Sequence, residues 1–307
     1  MTMDFSEVNV LLIGDFMLDH YVIGKSNRRS PEAPVPVIIP QREYSIPGGA
    51  GNVAMNLSSL GANVKCIGCV GNDDWGHKLI SILNSKNIKT NSIEIIDKYP
   101  TTLKQRIYIG NKQVARLDKE EIIDWQPSNF VKEDYDIVIL SDYNKGVLNK
   151  LWFDISDLGK VIVDPKKASR FNHYKNSTII TPNLNELHKA SEIKNFDSMN
   201  NDKSIVSVCN DLIKENNFEY IVAKRGSRGI TIVGRNKFFK HIRAHKINNP
   251  DVTGAGDTVI AALSIAYAKT NDIEYSTTFA NAAAGIVVGK TGTAICDLNE
   301  VQRLLTK

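Results

Sequence analysis

Short apolar runs of strand length alternate with stretches of helical periodicity along almost the whole chain, and this alternation restricts the fold more than any other feature. Residues 8–13 form an apolar run interrupted only by Asn9, as expected of a strand buried on both faces. Residues 50–60 set Val53, Met55, Leu57 and Leu60 on a helical period that stops at Gly61. Further strands are expected at 64–70, 93–96, 136–140, 161–163, 178–180 and 220–223. Helices are expected at 74–85, 185–190, 203–215, 255–269, 275–289 and 298–305. Such a rhythm implies an α/β fold, a mostly parallel sheet with helices on both faces. Residues 1–307 are read as one domain.

Two segments break the rhythm. Residues 21–41 carry Pro34, Pro36 and Pro40, and residues 101–117 alternate through Leu103, Arg106, Tyr108, Val114 and Leu117. Both read as antiparallel ribbon, the prolines suiting an edge. They are expected to form a small sheet, a lid built from about 20–45 and 98–118. Plain surface hairpins are the alternative.

The heptapeptide Asp251-Val252-Thr253-Gly254-Ala255-Gly256-Asp257 opens directly into an apolar helical run. Glycines at a helix start let a ligand approach the unpaired N–H groups and the positive end of the helix dipole, which suits a phosphate. Asp257 falls in the first turn, where a carboxylate is favoured. A base beside an anion hole is what phosphoryl transfer to a hydroxyl requires. A glycine-rich turn with a capping aspartate is the competing reading. A second loop, Pro47-Gly48-Gly49-Ala50-Gly51-Asn52, precedes the first helix; its glycines permit close approach, and Asn52 offers a donor and an acceptor to sugar hydroxyls.

The net charge of +4, from 38 basic against 34 acidic residues, is too even to argue for nucleic-acid or membrane binding. A local cationic cluster for a small anion remains open. The N-terminus lacks the basic region of a signal peptide, and no apolar window nears the length of a membrane span, so a cytoplasmic protein is expected. Cys66 and Cys69 form a CxxC within a strand, where positions i and i+3 face opposite ways. With Cys209 and Cys296, they are expected to be buried structural thiols. No G-x-G-x-x-G follows the first strand, which removes a dinucleotide-dependent dehydrogenase.

Taken in order, the two glycine motifs and Asn183-Leu184-Asn185-Glu186 resemble the signatures of the ribokinase/phosphofructokinase-B family of carbohydrate kinases, over about residues 8–305. The resemblance implies a ribokinase-like three-layer α/β/α fold. The blocks 14–21, 116–118, 141–146, 164–166, 181–186 and 279–290 resemble the branch acting on D-glycero-β-D-manno-heptose 7-phosphate. That branch transfers phosphate from ATP to O1, giving the 1,7-bisphosphate used for nucleotide-activated heptose and lipopolysaccharide. Many of its members carry a C-terminal nucleotidyltransferase domain; since this sequence stops at Lys307, that activity is expected in a separate protein, or the chain is a truncation.

Carried over position by position, the resemblance implies that Asp257 is the catalytic base and that Gly254, Ala255 and Gly256 hold the transferring phosphoryl group. Asp15, Asp19, Gly48, Gly49 and Asn52 would grip sugar hydroxyls, with Asp142 nearby. Lys104, Arg106, Arg116 and Lys145 are candidates for the distal phosphate; solvated surface charge is the alternative for each. On the nucleotide side stand Lys166, Asn183, Asn185, Glu186, Lys224, Arg225, Gly226 and Gly229, with Asn281 and Gly285 at the adenine. Glu186 and Asn183 would act on Mg²⁺ through water. Asp251 and Thr253 match positions near a monovalent cation. Lys224 replaces a usual threonine, and Gly51 stands where alanine is expected. A homodimer through the lid strands is expected. A kinase for another sugar phosphate, or a non-catalytic sugar- or nucleotide-binding member, are the alternatives.

Overall fold

The first strand, β1 (Asn9–Gly14), is apolar at every inner position because both its faces are covered. Val10 and Leu12 enter one core, and Leu11 and Ile13 enter another on the opposite side. The computed structural model describes residues 3–130, 133–166, 168–191, 199 and 201–306. After β1 come β2 (Phe16–Arg29), β3 (Pro36–Gly49), α1 (Ala50–Ser59), β4 (Asn63–Gly71), α2 (Asp74–Asn84) and β5 (Lys89–Ile96). Then follow β6 (Thr102–Ile109), β7 (Lys112–Lys119), β8 (Ile137–Ser141), β9 (Val161–Asp164), β10 (Ile179–Ile180), α3 (Leu184–Ala190) and α4 (Asp202–Asn216). The chain closes with β11 (Tyr220–Lys224), β12 (Ile230–Gly234), β13 (Phe239–Ile242), α5 (Ala255–Thr270), α6 (Ile273–Val287) and α7 (Leu298–Leu305).

The large sheet has nine strands in the order β13-β12-β11-β10-β9-β8-β1-β4-β5. Pairing is parallel from β5 to β11, and antiparallel where β12 and β13 fold back along the edge. That hairpin has no expectation from the sequence: β13 is short and mostly exposed and lacks an apolar signal, although β12 is a short run buried at all its positions. One face is covered by α1, α2, α5, α6 and α7, the other by α3, α4 and the segment around Trp125. Helix α5 is buried at every position from Asp257 to Tyr267, which explains why its sequence is apolar all round.

Strand β1 lies between β8 and β4, so the order of strands reverses there. In an open α/β sheet the carboxyl ends beside such a reversal form a crevice for ligands. Only Asp15 separates β1 from β2, which leaves the large sheet and enters a second one of four strands, ordered β3-β2-β6-β7. The two segments that broke the α/β rhythm therefore pair into the expected small sheet. Pro36 and Pro40 lie on β3, an edge strand, where a missing N–H costs nothing. The sheet starts earlier and ends later than the sequence suggests, because Gly48 and Gly49 are the last residues of β3 itself.

The CxxC divides as its spacing demands: Cys66 packs in one core and Cys69 in the other. All four cysteines are free and buried, and burial raises every thiol, Cys69 and Cys296 to about 12. A disulfide-exchange reagent is therefore expected to titrate no fast thiol in the native protein and all four after denaturation. One thiol reacting in the mixing time would contradict that packing.

Candidate active site

Helix α5 starts at Gly254, whose φ of 76° suits glycine and whose missing side chain matters: a Cβ there would lie 2.7 Å from Asn52 Nδ2. The N–H groups of Gly254, Gly256 and Asp257 have no hydrogen-bond partner among the described residues, whereas that of Ala255, expected beside the two glycines as a phosphate donor, is taken by the Val252 carbonyl at 3.2 Å. Asp257 turns inward, 5% exposed. Its Oδ2 accepts from Asn52 Nδ2 at 2.8 Å, and its Oδ1 accepts from the Tyr143 hydroxyl. Burial raises its carboxyl to about 6, against those two donors and Lys224, with Asp164 adding to the rise. Behind Asn52 a polar chain continues: Asn56 Nδ2 donates to the Asn52 carbonyl at 2.9 Å, and Thr258 Oγ1 donates to Asn56 Oδ1 at 3.1 Å. The two glycine motifs, far apart in sequence, thus meet through one hydrogen bond.

On the lid side, Asp19 projects from β2 against the end of β3. Its Oδ1 accepts from Arg106 at 2.7 Å and its Oδ2 from Thr293 at 3.2 Å. A Cβ on Gly48 would come within 3.0 Å of that same Oδ2, so the glycine leaves the carboxylate room. Gly49, with φ 56°, makes the turn into α1; a side chain would meet the Asp15 carbonyl. The four cations differ sharply. Arg106 is neutralised by Asp19, Lys145 pairs with Glu120 at 2.7 Å, and Arg116 lies on exposed β7 with Asp118 at 2.8 Å. Lys104 has no carboxylate within ion-pair distance among the described residues. Its ammonium rests 3.5 Å from Met17 Sδ and 5.9 Å from the Tyr143 ring centre, and burial lowers its pKa although Asp19 opposes.

Asp15 and Asp142 do different work from that expected. Asp15 is 1% exposed and accepts three backbone N–H bonds, from Tyr143, Lys145 and Val147. Asp142 accepts from the Asn144 N–H at 2.6 Å and from the Tyr174 hydroxyl. Their oxygens shape the loop after β8; Asp15 is committed to it in full, while Asp142 also lines a large cavity.

On the other side of α5 a cavity of about 810 Å³ opens among the ends of β8, β9 and β11 and the helices α5 and α6. Lys166, Asn183, Glu186, Lys224, Gly226, Gly229, Asn281 and Gly285 all line it. Asn183 and Glu186 form a capping box at α3: the Glu186 N–H donates to Asn183 Oδ1 at 2.9 Å, and the Asn183 N–H donates to Glu186 Oε2 at 2.8 Å. Glu186 Oε1 and Asn183 Nδ2 make no hydrogen bond among the described residues. Burial raises Glu186 while Lys224 and Lys166 oppose. The Lys224 ammonium pairs with Asp164 and sits 3.6 Å from where a Cβ on Gly256 would be, so it overlooks the start of α5. Burial disfavours its charge, yet Asp164 and Glu186 raise its pKa.

Two expected nucleotide contacts are not brought there. Arg225 is buried away from the cavity, bonded to Asp202, Thr231 at 2.9 Å and His241 at 3.1 Å. Asn185 is exposed on α3 and lines no part of the cavity. Asp251 lies at the turn before α5; burial works against its ionisation, but N–H donors from Gly292 at 2.7 Å and Thr253 at 3.0 Å hold it below the usual range. Among the described residues no three His, Cys, Asp or Glu side chains gather into a metal cage. A buried carboxylate with one unpaired oxygen beside a phosphate-sized space nevertheless fits Mg²⁺, which keeps most of its water. Sequence reasoning missed Tyr143, Asp164 and Thr293 as site members. The first two stood in motif blocks directly after strands, a signal that could have found them; Thr293 had none.

A glycine-lined helix start beside a buried carboxylate, between the small sheet and a large cavity, suits a phosphotransferase with an alcohol acceptor. Residues 8–300 match the pfkB family carbohydrate kinase profile, and the chain belongs to that family. It is 37% identical over 94% of its length to the bifunctional protein HldE of Shewanella baltica, covering 62% of that protein. It is 38% identical to the bifunctional protein HldE of Aliarcobacter butzleri, covering 95% of this chain and 63% of that one. The chain thus spans under two thirds of these relatives. Among solved structures it resembles Arabidopsis thaliana ribokinase complexed with ribose and ATP, with TM-score 0.77, 19% identity and coverage of 98% and 99%. It also resembles phosphofructokinase-2 of Escherichia coli in complex with potassium, with TM-score 0.74, 18% identity and the same coverage. The protein is a carbohydrate kinase of this family.

The elevated Asp257 carboxyl has a stability consequence. Its folded pKa of about 6 exceeds the ordinary 3.8, so its favourable contribution is complete below the lower value and lost as pH rises through the upper. Asp257→Asn removes the buried charge, and its amide can accept from Asn52 and donate to Tyr143. The variant is expected to exceed the wild type at pH 8 by on the order of 1–2 kcal/mol and to converge with it near pH 4. Thermal melts at both values measure this; equal gaps at both would remove burial of charge as the cause.

Proposed function

We propose that the chain phosphorylates O1 of D-glycero-β-D-manno-heptose 7-phosphate with ATP, in the supply of nucleotide-activated heptose. Lys104 carries this reading. A half-buried ammonium without an acidic partner, beside the lid loop that would hold the sugar, suits a substrate that brings its own phosphate. The motif resemblance to heptose 7-phosphate kinases and the identity to the HldE proteins support it. Asp257 takes the proton of the anomeric hydroxyl as that oxygen bonds to the γ-phosphorus. The bond from this phosphorus to the β–γ bridging oxygen breaks, and ADP leaves with its electrons. The N–H groups of Gly254, Gly256 and Asp257 face the transferring charge, with Lys224 beside them.

Asp19, Gly48, Gly49 and Asn52 hold the sugar in this proposal, Arg106 and Thr293 fixing Asp19. Glu186 and Asn183 hold Mg²⁺ through water; the ion would neutralise the nucleotide's phosphates. A monovalent cation near the Asp251–Thr253 turn, a dimer through the open edges of the small sheet, a nucleotidyltransferase acting on the product and a cytoplasmic setting belong to the same proposal. No helix among the described residues is long and apolar enough to cross a membrane.

An ADP-release assay over a panel of sugars and sugar phosphates tests the substrate. Turnover of ribose, fructose or a ketose phosphate, with none of the heptose phosphate, would reject the heptose while leaving the kinase. Asp257→Asn is expected to lower turnover at least about a hundredfold with ATP binding retained. Near-normal turnover would remove Asp257 as the base. Lys104→Gln is expected to raise KM for the phosphorylated sugar about 10–100-fold without altering KM for ATP, since one charge-assisted contact is lost. An unchanged sugar KM would place the distal phosphate elsewhere.

A further inference from the structure

Tyr143 has no part in the roles assigned above, yet it touches Asp257 and two of the site's lysines. It stands in the loop after β8, and its hydroxyl donates to Asp257 Oδ1. Its ring centre lies 5.9 Å from Lys104 Nζ and 5.4 Å from Lys166 Nζ. Lys104 belongs to the lid side, while Lys166 lines the large cavity. The loop itself is immobilised from below, because buried Asp15 receives the N–H groups of Tyr143, Lys145 and Val147 at 2.8, 3.0 and 3.1 Å. A phenol so anchored has one hydrogen bond to give, and it is given to the carboxylate that would take the acceptor's proton.

We propose that Tyr143 is a positioning residue for the transfer: its hydroxyl aligns the Asp257 carboxylate, and its ring seats the ammonium groups of Lys104 and Lys166 on the acceptor and donor sides. The proposal rests on Asp257 being the base. The acceptor proton passes to Asp257 and the phosphoryl group to the acceptor oxygen; Tyr143 keeps its own proton throughout. Burial, then the carboxylates of Asp257, Asp164 and Asp19, hold the phenol well above its ordinary range, so it donates and does not serve as a base.

The groups facing Asp257 are Asn52 from α1, Tyr143 from the loop after β8, Asp164 from the end of β9 and Lys224 from the end of β11. A donor to a carboxylate favours the ionised form, so losing the Tyr143 hydroxyl raises Asp257 further. Asp164 pushes the same way and Lys224 the opposite way, and both stay in place. In Tyr143→Phe the acid limb of kcat/KM, set by Asp257, is expected to move up by about one pH unit. The ring survives, so KM for ATP and for the sugar phosphate should stay within about twofold while kcat falls about tenfold. With 3-fluorotyrosine in place of Tyr143, a more acidic phenol and a stronger donor, the limb should move down.

pH–rate profiles of the wild type, both variants and Asp257→Asn separate the outcomes. Opposite shifts of the limb, with Asp257→Asn inactive, support the proposal. A limb that stays put in both Tyr143 variants, with Asp257→Asn inactive, overturns it and leaves the base assignment standing. Normal turnover by Asp257→Asn sinks the base assignment and this proposal together. Should Tyr143→Phe fail to fold, the fluorinated protein decides alone: a lowered limb supports, an unmoved limb overturns.

Discussion

The hydrogen bond from Asn52 to Asp257 is the contact on which the rest of the site depends. Asn52 opens α1 and Asp257 opens α5, and the bond joins the loop that ends the small sheet to the helix start with unpaired N–H groups. Asn56 and Thr258 extend it into a buried polar chain, so the two helices are held in one register. Polar groups at such depth are costly unless paired, and pairing leaves few alternative arrangements. Among the described residues the carboxylate receives no direct cation. Two neutral donors hold it, which leaves it basic enough to take a proton near pH 6.

Around that bond the charges are arranged as pairs with deliberate exceptions. Asp19 with Arg106, Asp164 with Lys224 and Glu120 with Lys145 are matched. Lys104, Lys166 and the N–H groups at the start of α5 are not matched by acids among the described residues. Lys104 on the lid side and Lys166 at the large cavity flank the Tyr143 ring. Matched pairs fix side chains in place, and unmatched ones wait for an anion; a molecule carrying phosphate at both ends would meet both.

The sheet reversal at β1 explains why these groups meet at all. Loops leaving the carboxyl ends of β1, β8, β9, β10 and β11 all open on one side of the sheet. Asp15 makes use of this: placed at the end of β1, it ties down the loop from β8 next to it. The small sheet springs from the same point and returns as the glycine turn. Scaffold and lid share a root one residue wide.

Local sequence determined the elements and the two turns. The apolar period marked strands and helices, and Gly49 and Gly254 marked places where the backbone must take a positive φ or leave room, since both are nearest-neighbour properties of the chain. Asp257 was legible as a site candidate because it stands in the first turn of a glycine-lined helix start. The partners of each charge were not legible, because a side chain's hydrogen bonds depend on residues brought together across the fold. Asp15 and Arg225 look like ligand contacts in a motif, and only the tertiary structure commits the first to backbone N–H groups and the second to Asp202 and His241. The same folding leaves Lys104 without an acidic partner among the described residues and lays Tyr143 against the Asp257 carboxylate, two facts that arise from packing and have no trace in spacing or composition.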